Sequence, residues 1–321
     1  MMIDRNNVNE KNSKEWKVIE SGIAGGLSGA ITRLLLQPLD VIKTRFQLQV
    51  EPISRRNEGS KYRGMFQAIK IIWKEETVSA FWKGHNSAQI LSILYGTVQF
   101  ATFEQLKKLV KIFNLPIKQQ IFESFFFGSS ATVLATFASF PFDVIRTRFI
   151  AQGKFQEYRT IYEASCKIID KEGFRGLYKG LTPTLIQSVP YGGCQFGFYT
   201  LFTKLNTKLP LSTETHSEEL ITGGNLIAGF LAGMCAKTVT YPFDLCRKRM
   251  QIQGFLDVRK NFGKLFICSG LVDCCIRIYK EESFIGFFKG LQPSLIKSAL
   301  STSIYFALHD KIFRIFREKD I

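Results

Sequence analysis

One eight-residue string occurs three times in this chain. Pro38-Leu-Asp40-Val-Ile-Lys43-Thr-Arg45 returns as Pro141-Phe-Asp143-Val-Ile-Arg146-Thr-Arg148 and again as Pro242-Phe-Asp244-Leu-Cys-Arg247-Lys-Arg249. The prolines stand 103 and 101 residues apart. A second landmark travels with each copy, an acid followed eight residues later by the glycine of an aromatic-Lys-Gly ending. The pairs are Glu76 and Gly84, Glu172 and Gly180, and Glu282 and Gly290. Three landmark pairs at matching offsets mean three copies of one structural unit, and the fold must bury their shared faces together.

Each unit carries two apolar segments. Residues 87–103, 124–142 and 180–203 contain no charged side chain, and three other runs hold one base each: Arg33 in 21–39, Lys237 in 220–243 and Lys297 in 290–308. These lengths reach or approach the roughly 20 residues a spanning helix needs. A soluble all-α array is the bland alternative, but 24 uncharged residues in a row, rich in Gly and Phe, suit lipid better than a water-facing helix. Six spans are therefore expected.

Charge placement gives an orientation. The chain carries 43 Lys and Arg against 27 Asp and Glu, a formal net charge of +16. Segments 43–83, 143–179 and 244–289 hold 9, 8 and 9 of the bases, while the connectors 104–123 and 204–219 hold four and two. The positive-inside rule puts the long loops on one side and both termini on the other. Within the first loop, Tyr62, Phe66, Ile69 and Trp73 form a helical stripe, expected to lie on the membrane surface.

Proline inside a helix removes a hydrogen bond and kinks it. Asp40 and Lys43 share a helix face, as do Asp143 and Arg146, and Asp244 and Arg247. A pair within one helix is worth only about 0.2–0.5 kcal/mol. Helix ends converging on an axis would instead let each acid meet the next helix's base, closing a ring of three pairs. Small residues at Gly25/Gly29, Gly128/Thr132 and Gly229/Gly233, 13 and 9 residues before each proline, permit close helix contact in lipid.

These motifs resemble the mitochondrial carrier family over about residues 16–316. The resemblance implies an all-α integral membrane protein with six transmembrane helices in three two-helix repeats around a central cavity, and short surface helices in the matrix loops. The repeats would run 16–113, 114–211 and 212–316, between a polar tail at 1–15 and a short tail at 317–321. It implies the mitochondrial inner membrane, alternating access, internal targeting signals, termini toward the intermembrane space and contact with anionic lipid such as cardiolipin. It assigns the matrix gate to Asp40, Lys43, Asp143, Arg146, Asp244 and Arg247, with glutamine braces at Gln47 and Gln251 and none at Ile150. The cytoplasmic gate, aromatic-acid-x-x-base, is intact only at Phe103-Glu104-x-x-Lys107; Asp310 has Phe313 where a base is expected. Thr77 and Ser283 replace the glycine that follows the acid in repeat two.

Charges within a membrane rarely face lipid, so Arg33, Lys237 and Lys297 mark a solute cavity. In the family the seventh residue after the repeat glycine contacts substrate; here these are Leu91, Gln187 and Lys297. Gln99 and Gln195 match each other on the even helices. Three cations with no obvious midplane acid favour an anionic, phosphorylated ligand. Within the family, Phe81–Phe100, Leu291–Thr302, Pro38–Gln49 and Tyr241–Gly254 resemble the branch that carries thiamine pyrophosphate. That likeness implies import of thiamine pyrophosphate by exchange with other phosphorylated solutes. A carrier of nucleotides or coenzyme A is the nearest alternative.

Other classes find little support. Residues 1–20 are polar, without the apolar core of a secretory signal. The seven Cys form no C-x-x-C pair, and the three His are far apart, so neither a disulfide framework nor a metal set is expected. No catalytic constellation and no cofactor motif is visible, so no enzyme is expected. A basic nucleic-acid-binding helical protein would concentrate charge on one helix face rather than in loops flanking apolar runs.

Overall fold

The computed structural model describes residues 5–53, 59–112, 120–154, 156–208, 218–255 and 266–318. The side chains of 1–21 and the repeat boundaries expected near 113/114 and 211/212 lie outside what is described. The described residues form nine α-helices: α1 (Arg5–Leu48), α2 (Met65–Glu76), α3 (His85–Ile112), α4 (Gln120–Ala151), α5 (Ile161–Glu172), α6 (Leu181–Lys208), α7 (Glu218–Gln251), α8 (Leu271–Gly286) and α9 (Leu291–Glu318). Helix α1 begins inside the stretch read as a tail.

Six of the nine are long. The shortest of them, α3, α6 and α9, have 28 residues each, or about 42 Å at 1.5 Å per residue. Packing is closed: α3 lies along α4, α6 along α7, and α9 returns to α1. The three units thus form a ring in which each even helix meets the odd helix of the next unit. Taken singly, no described helix is long and apolar enough to cross a membrane. The polar side chains that break up the apolar runs, among them Gln187, Gln195, Ser298 and Ser301, line a cavity inside the ring. Ile23, Leu27 and Ile31 of α1, and Val133, Leu134 and Phe137 of α4, are exposed.

The odd helices do not stop at their prolines. They continue to Leu48, Ala151 and Gln251, nine or ten residues on. In α1 the carbonyl that Pro38 leaves without its usual donor, that of Leu34, accepts the Trp82 indole N–H at 3.1 Å. The turns that follow the prolines carry the motif charges.

The short helices α2, α5 and α8 cover the three small cores at this end. The stripe on the first of them divides. Phe66 and Trp73 face out at 75% and 62% exposure, whereas Tyr62 is fully buried and its hydroxyl meets Arg45 at 3.2 Å. Tyr62 is therefore core, not membrane surface. Small-residue packing is also uneven. A side chain at Gly25 or Gly29 would meet Tyr305, and one at Gly229 would meet Tyr199, but Gly128 and Gly233 face open space.

The aromatic-Lys-Gly landmark has a steric cause. Gly84, Gly180 and Gly290 all have positive φ, between 77 and 88°. A Cβ at each would stand 2.8–3.0 Å from the backbone carbonyl of Arg146, Arg247 and Lys43 respectively. Only glycine lets the start of each even helix sit this close to the next unit's motif.

Candidate substrate cavity and the charged ring that closes it

The C-terminal ends of α1, α4 and α7 bring the three motifs together. Arg146 donates to Asp40 at 2.6 Å, Arg247 to Asp143 at 2.7 Å, and Lys43 to Asp244 at 2.6 Å. Each acid meets the next helix's base, as the repeat spacing requires, and all three pairs cross between units. The repeat spacing alone allows Asp143 either Lys43 or Arg247, and the structure pairs it with Arg247. Gln47 donates to Asp244 at 3.1 Å, and the Gln251 amide donates to Asp143. The two glutamines thus brace two of the three pairs. At the third place stands Ile150, which is buried.

The ring is less symmetric than its sequence. Lys248, a buried residue the motif reading passed over, donates to Asp143, Thr147 and Gln251. Lys297 reaches both oxygens of Asp40 at 2.7 Å. Among the described residues Asp143 and Asp40 therefore each pair with two cations, and Asp244 with one.

A second set of charges lies outside this ring, also repeated three times: residues that stand among the sequence landmarks but whose pairing the sequence does not reveal. Arg45, Arg148 and Arg249 are fully buried, and each guanidinium grips the landmark acid of its own unit: Glu76, Glu172 and Glu282. Each also donates to backbone carbonyls of the neighbouring unit. Arg45 reaches Ile150 and Gln152, Arg148 reaches Gln251 and Gln253, and Arg249 reaches Gln47 and Gln49. Lys83, Lys179 and Lys289 complete the three clusters. Burial pushes the Glu76 and Glu172 carboxyls up. The Arg45 and Arg148 guanidiniums, with Lys83 and Lys179, more than offset this and hold both below the usual carboxylate range. The joint signal was available: a base two residues past each motif base, and an acid at a matching offset.

The cavity inside the ring has three lobes. The largest, about 550 Å³, is lined by Gln187, Gln195, Lys237 and Lys297 among others. A lobe of about 200 Å³ is lined by Arg33, Leu91, Asp40, Arg146 and Lys297, and one of about 320 Å³ by Arg33 and Tyr305. Ser301 lines all three. Six of the seven expected cavity residues therefore come together. Gln99 does not line these lobes; its amide reaches Thr132 at 3.4 Å, between α3 and α4. The three expected cations differ in their partners. Arg33 donates to the Gln89 side chain at 3.0 Å, Lys297 is held on Asp40, and Lys237 donates to Ser298 at 2.5 Å and the Ser294 carbonyl. Among the described residues Lys237 meets no carboxylate.

The opposite ends of the long helices look different. Glu104, Lys107 and Asp310 are exposed. Lys107 lies over its own helix's Phe103 ring at 4.5 Å, and the base facing Asp310 is His309 at 3.8 Å. Among the described residues none of the three meets an opposite charge of another unit.

A closed ring of paired helices with a polar cavity, shut at one end by ion pairs between units, defines a solute transporter built from threefold repeats. The chain belongs to the mitochondrial carrier family: the pattern of that family, mitochondrial carrier protein, matches residues 14–113, 118–209 and 218–320. The six long helices are its six membrane helices. Among similar proteins is the mitochondrial thiamine pyrophosphate carrier of Macaca fascicularis, 44% identical over 93% of this chain and 92% of that one. The Homo sapiens carrier of the same name is 43% identical over 95% and 94%. The mitochondrial thiamine pyrophosphate carrier 1 of Coccidioides immitis is 34% identical over 92% of each chain. The protein is a mitochondrial transporter.

Proposed function

We propose that this carrier imports thiamine pyrophosphate across the mitochondrial inner membrane in exchange for other phosphorylated solutes, among them thiamine monophosphate and nucleotides. The observation that carries the reading is the cation excess around the cavity, with Lys237 lacking a carboxylate partner, joined to relatives of the same name along nearly the whole chain. A diphosphate in a site shielded from water needs several charge-assisted donors. Arg33, Lys237 and Lys297 supply them. Gln187 and Gln195 supply amide donors and acceptors suited to the aminopyrimidine edge.

In this reading the ion-pair ring is the matrix gate, the exposed Glu104, Lys107 and Asp310 belong to a weak cytoplasmic gate, and both termini face the intermembrane space. Lys297 couples the two tasks. A phosphate that draws it off Asp40 leaves that acid with Arg146 alone and releases the contact between α9 and α1. Anionic lipid such as cardiolipin suits the cavity of about 640 Å³ at the start of α3 and α5, where His85 Nδ1 and Ser87 Oγ are buried without a partner among the described residues.

Exchange in liposomes tests the function. Labelled thiamine pyrophosphate taken up against internal thiamine pyrophosphate, and outcompeted by unlabelled thiamine pyrophosphate ahead of ADP, ATP or coenzyme A, is the expected result. Preferential uptake of a nucleotide or of coenzyme A would replace it with the alternative reading.

A further inference from the structure

Four of the seven cysteines, Cys246, Cys268, Cys274 and Cys275, gather around one contact between α7 and α8. Cys246 lies between the motif residues Asp244 and Arg247. Its sulfur stands 3.7 Å from that of Cys275. The matching positions in the other repeats show what this contact ordinarily is. In the first unit they are Ile42 and Ile69, which pack together in the core beneath α2; in the second they are Ile145 and Ser165. Only the third unit has a thiol at both ends. Cys246 is fully buried, while Cys275 is half-buried.

We propose that Cys246 and Cys275 form a reversible dithiol–disulfide site that staples the motif helix of the third repeat to its surface helix under hydrogen peroxide. The Cys275 thiolate attacks one peroxide oxygen. The O–O bond breaks, hydroxide leaves and takes a proton as water, and Cys275 becomes a sulfenic acid. The Cys246 sulfur then attacks the Cys275 sulfur. The S–O bond breaks, and the departing hydroxide leaves as water with the Cys246 proton. Two thiols have given up two electrons and two protons, and one peroxide has become two waters. A small dithiol reverses the reaction by exchange.

The other two sulfurs suit the reaction less. Hydrogen bonding to Cys274 and burial push the Cys268 thiol well up, and contact with Cys246 together with burial does the same to Cys274. Both stay protonated and poorly nucleophilic. Among the described residues no group of His, Cys, Asp and Glu is placed to hold a metal ion, so thiol–disulfide chemistry is what the cluster offers. The staple lies within one unit and crosses no seam between units. It closes a chain loop in the unfolded state, so it acts on stability rather than on the gate.

The test uses the purified full-length carrier, with its free thiols counted by alkylation and mass spectrometry before and after hydrogen peroxide. Two of the seven thiols should disappear, the fragments containing Cys246 and Cys275 should become linked, and the melting temperature should rise by several degrees. Dithiothreitol should reverse all three changes. Cys275→Ser should abolish them while leaving exchange unchanged, and Cys274→Ser should leave them intact. Unchanged thiol counts, a link that survives Cys275→Ser, or one lost with Cys274→Ser would each overturn the assignment.

Discussion

The two ends of the helix ring are built from the same six helices and carry charge in opposite ways. At one end Asp40, Asp143 and Asp244 each reach a base of the next unit, and three buried arginines tie the same units together outside them. At the other, Glu104, Lys107 and Asp310 are exposed and find no such partner among the described residues. Closure therefore depends on whether the motif charge recurs in every unit. A pair that crosses a seam needs its acid on one helix and its base on the next, so one missing copy removes more than one contact.

The largest expected effect separates the ends directly. Asp143→Lys sets a third cation beside Arg247 and Lys248, and breaking a buried pair costs about 3–5 kcal/mol. Exchange in liposomes should be lost, and adding Arg247→Asp should restore part of it. Glu104→Lys at the exposed end should change stability by no more than about 0.5 kcal/mol. Equal effects at the two ends would erase the distinction.

Next comes the cavity between them. Lys237→Gln removes a cation that meets no carboxylate among the described residues, and a charge-assisted contact is worth about 1.5–3 kcal/mol. Apparent affinity for thiamine pyrophosphate should fall about tenfold to a hundredfold, and thiamine monophosphate should suffer less. Lys297→Gln should both weaken affinity and loosen the ring, because Lys297 serves Asp40 as well. Equal losses for both thiamine phosphates in Lys237→Gln would break the diphosphate assignment.

A gain of stability is expected at the turn after α2. Thr77 has φ 80° and ψ 170°, a region that is essentially glycine's own and costs other residues about 1–3 kcal/mol. Gly173, with φ 72°, occupies the same place in the second unit. Thr77→Gly should raise the melting temperature with exchange unchanged. A lower melting temperature would mean that the turn is not strained.

The smallest effect is on acidification. Glu76 and Glu172 have folded values held below the usual 4.5. Their contribution to stability is complete above about pH 4.5 and declines as pH falls through the lower folded values. Thermal unfolding in detergent should show the wild type's advantage over Glu76→Gln shrinking below that pH. An advantage independent of pH would remove the carboxylate from the account.

What was legible in the sequence was what repeats. Pro38, Pro141 and Pro242 with their acids and bases gave the unit count, the bundle and a ring of three pairs, but not which neighbour Asp143 would choose. Gly84, Gly180 and Gly290 were visible as landmarks, but their reason is a carbonyl of the next unit, which spacing does not reveal. Arg45, Arg148 and Arg249 repeat as faithfully and were passed over, because their bond to the landmark acid spans a loop. Lys297 on Asp40 was beyond reach: that contact joins α9 to α1 and has no counterpart in the other repeats. Gln99 and Gln195 match in sequence and part in space, since only Gln195 turns toward the cavity.

Access to the cavity from each side tests the central claim most directly. In mitoplasts and in inside-out inner-membrane vesicles carrying the variant Ser301→Cys, with reactive native thiols replaced, a membrane-impermeant maleimide measures which end is closed. In the absence of substrate, the account predicts labelling from the intermembrane-space side and protection from the matrix side, with Asp143→Asn removing that protection. Labelling from the matrix side with the ring intact would contradict it.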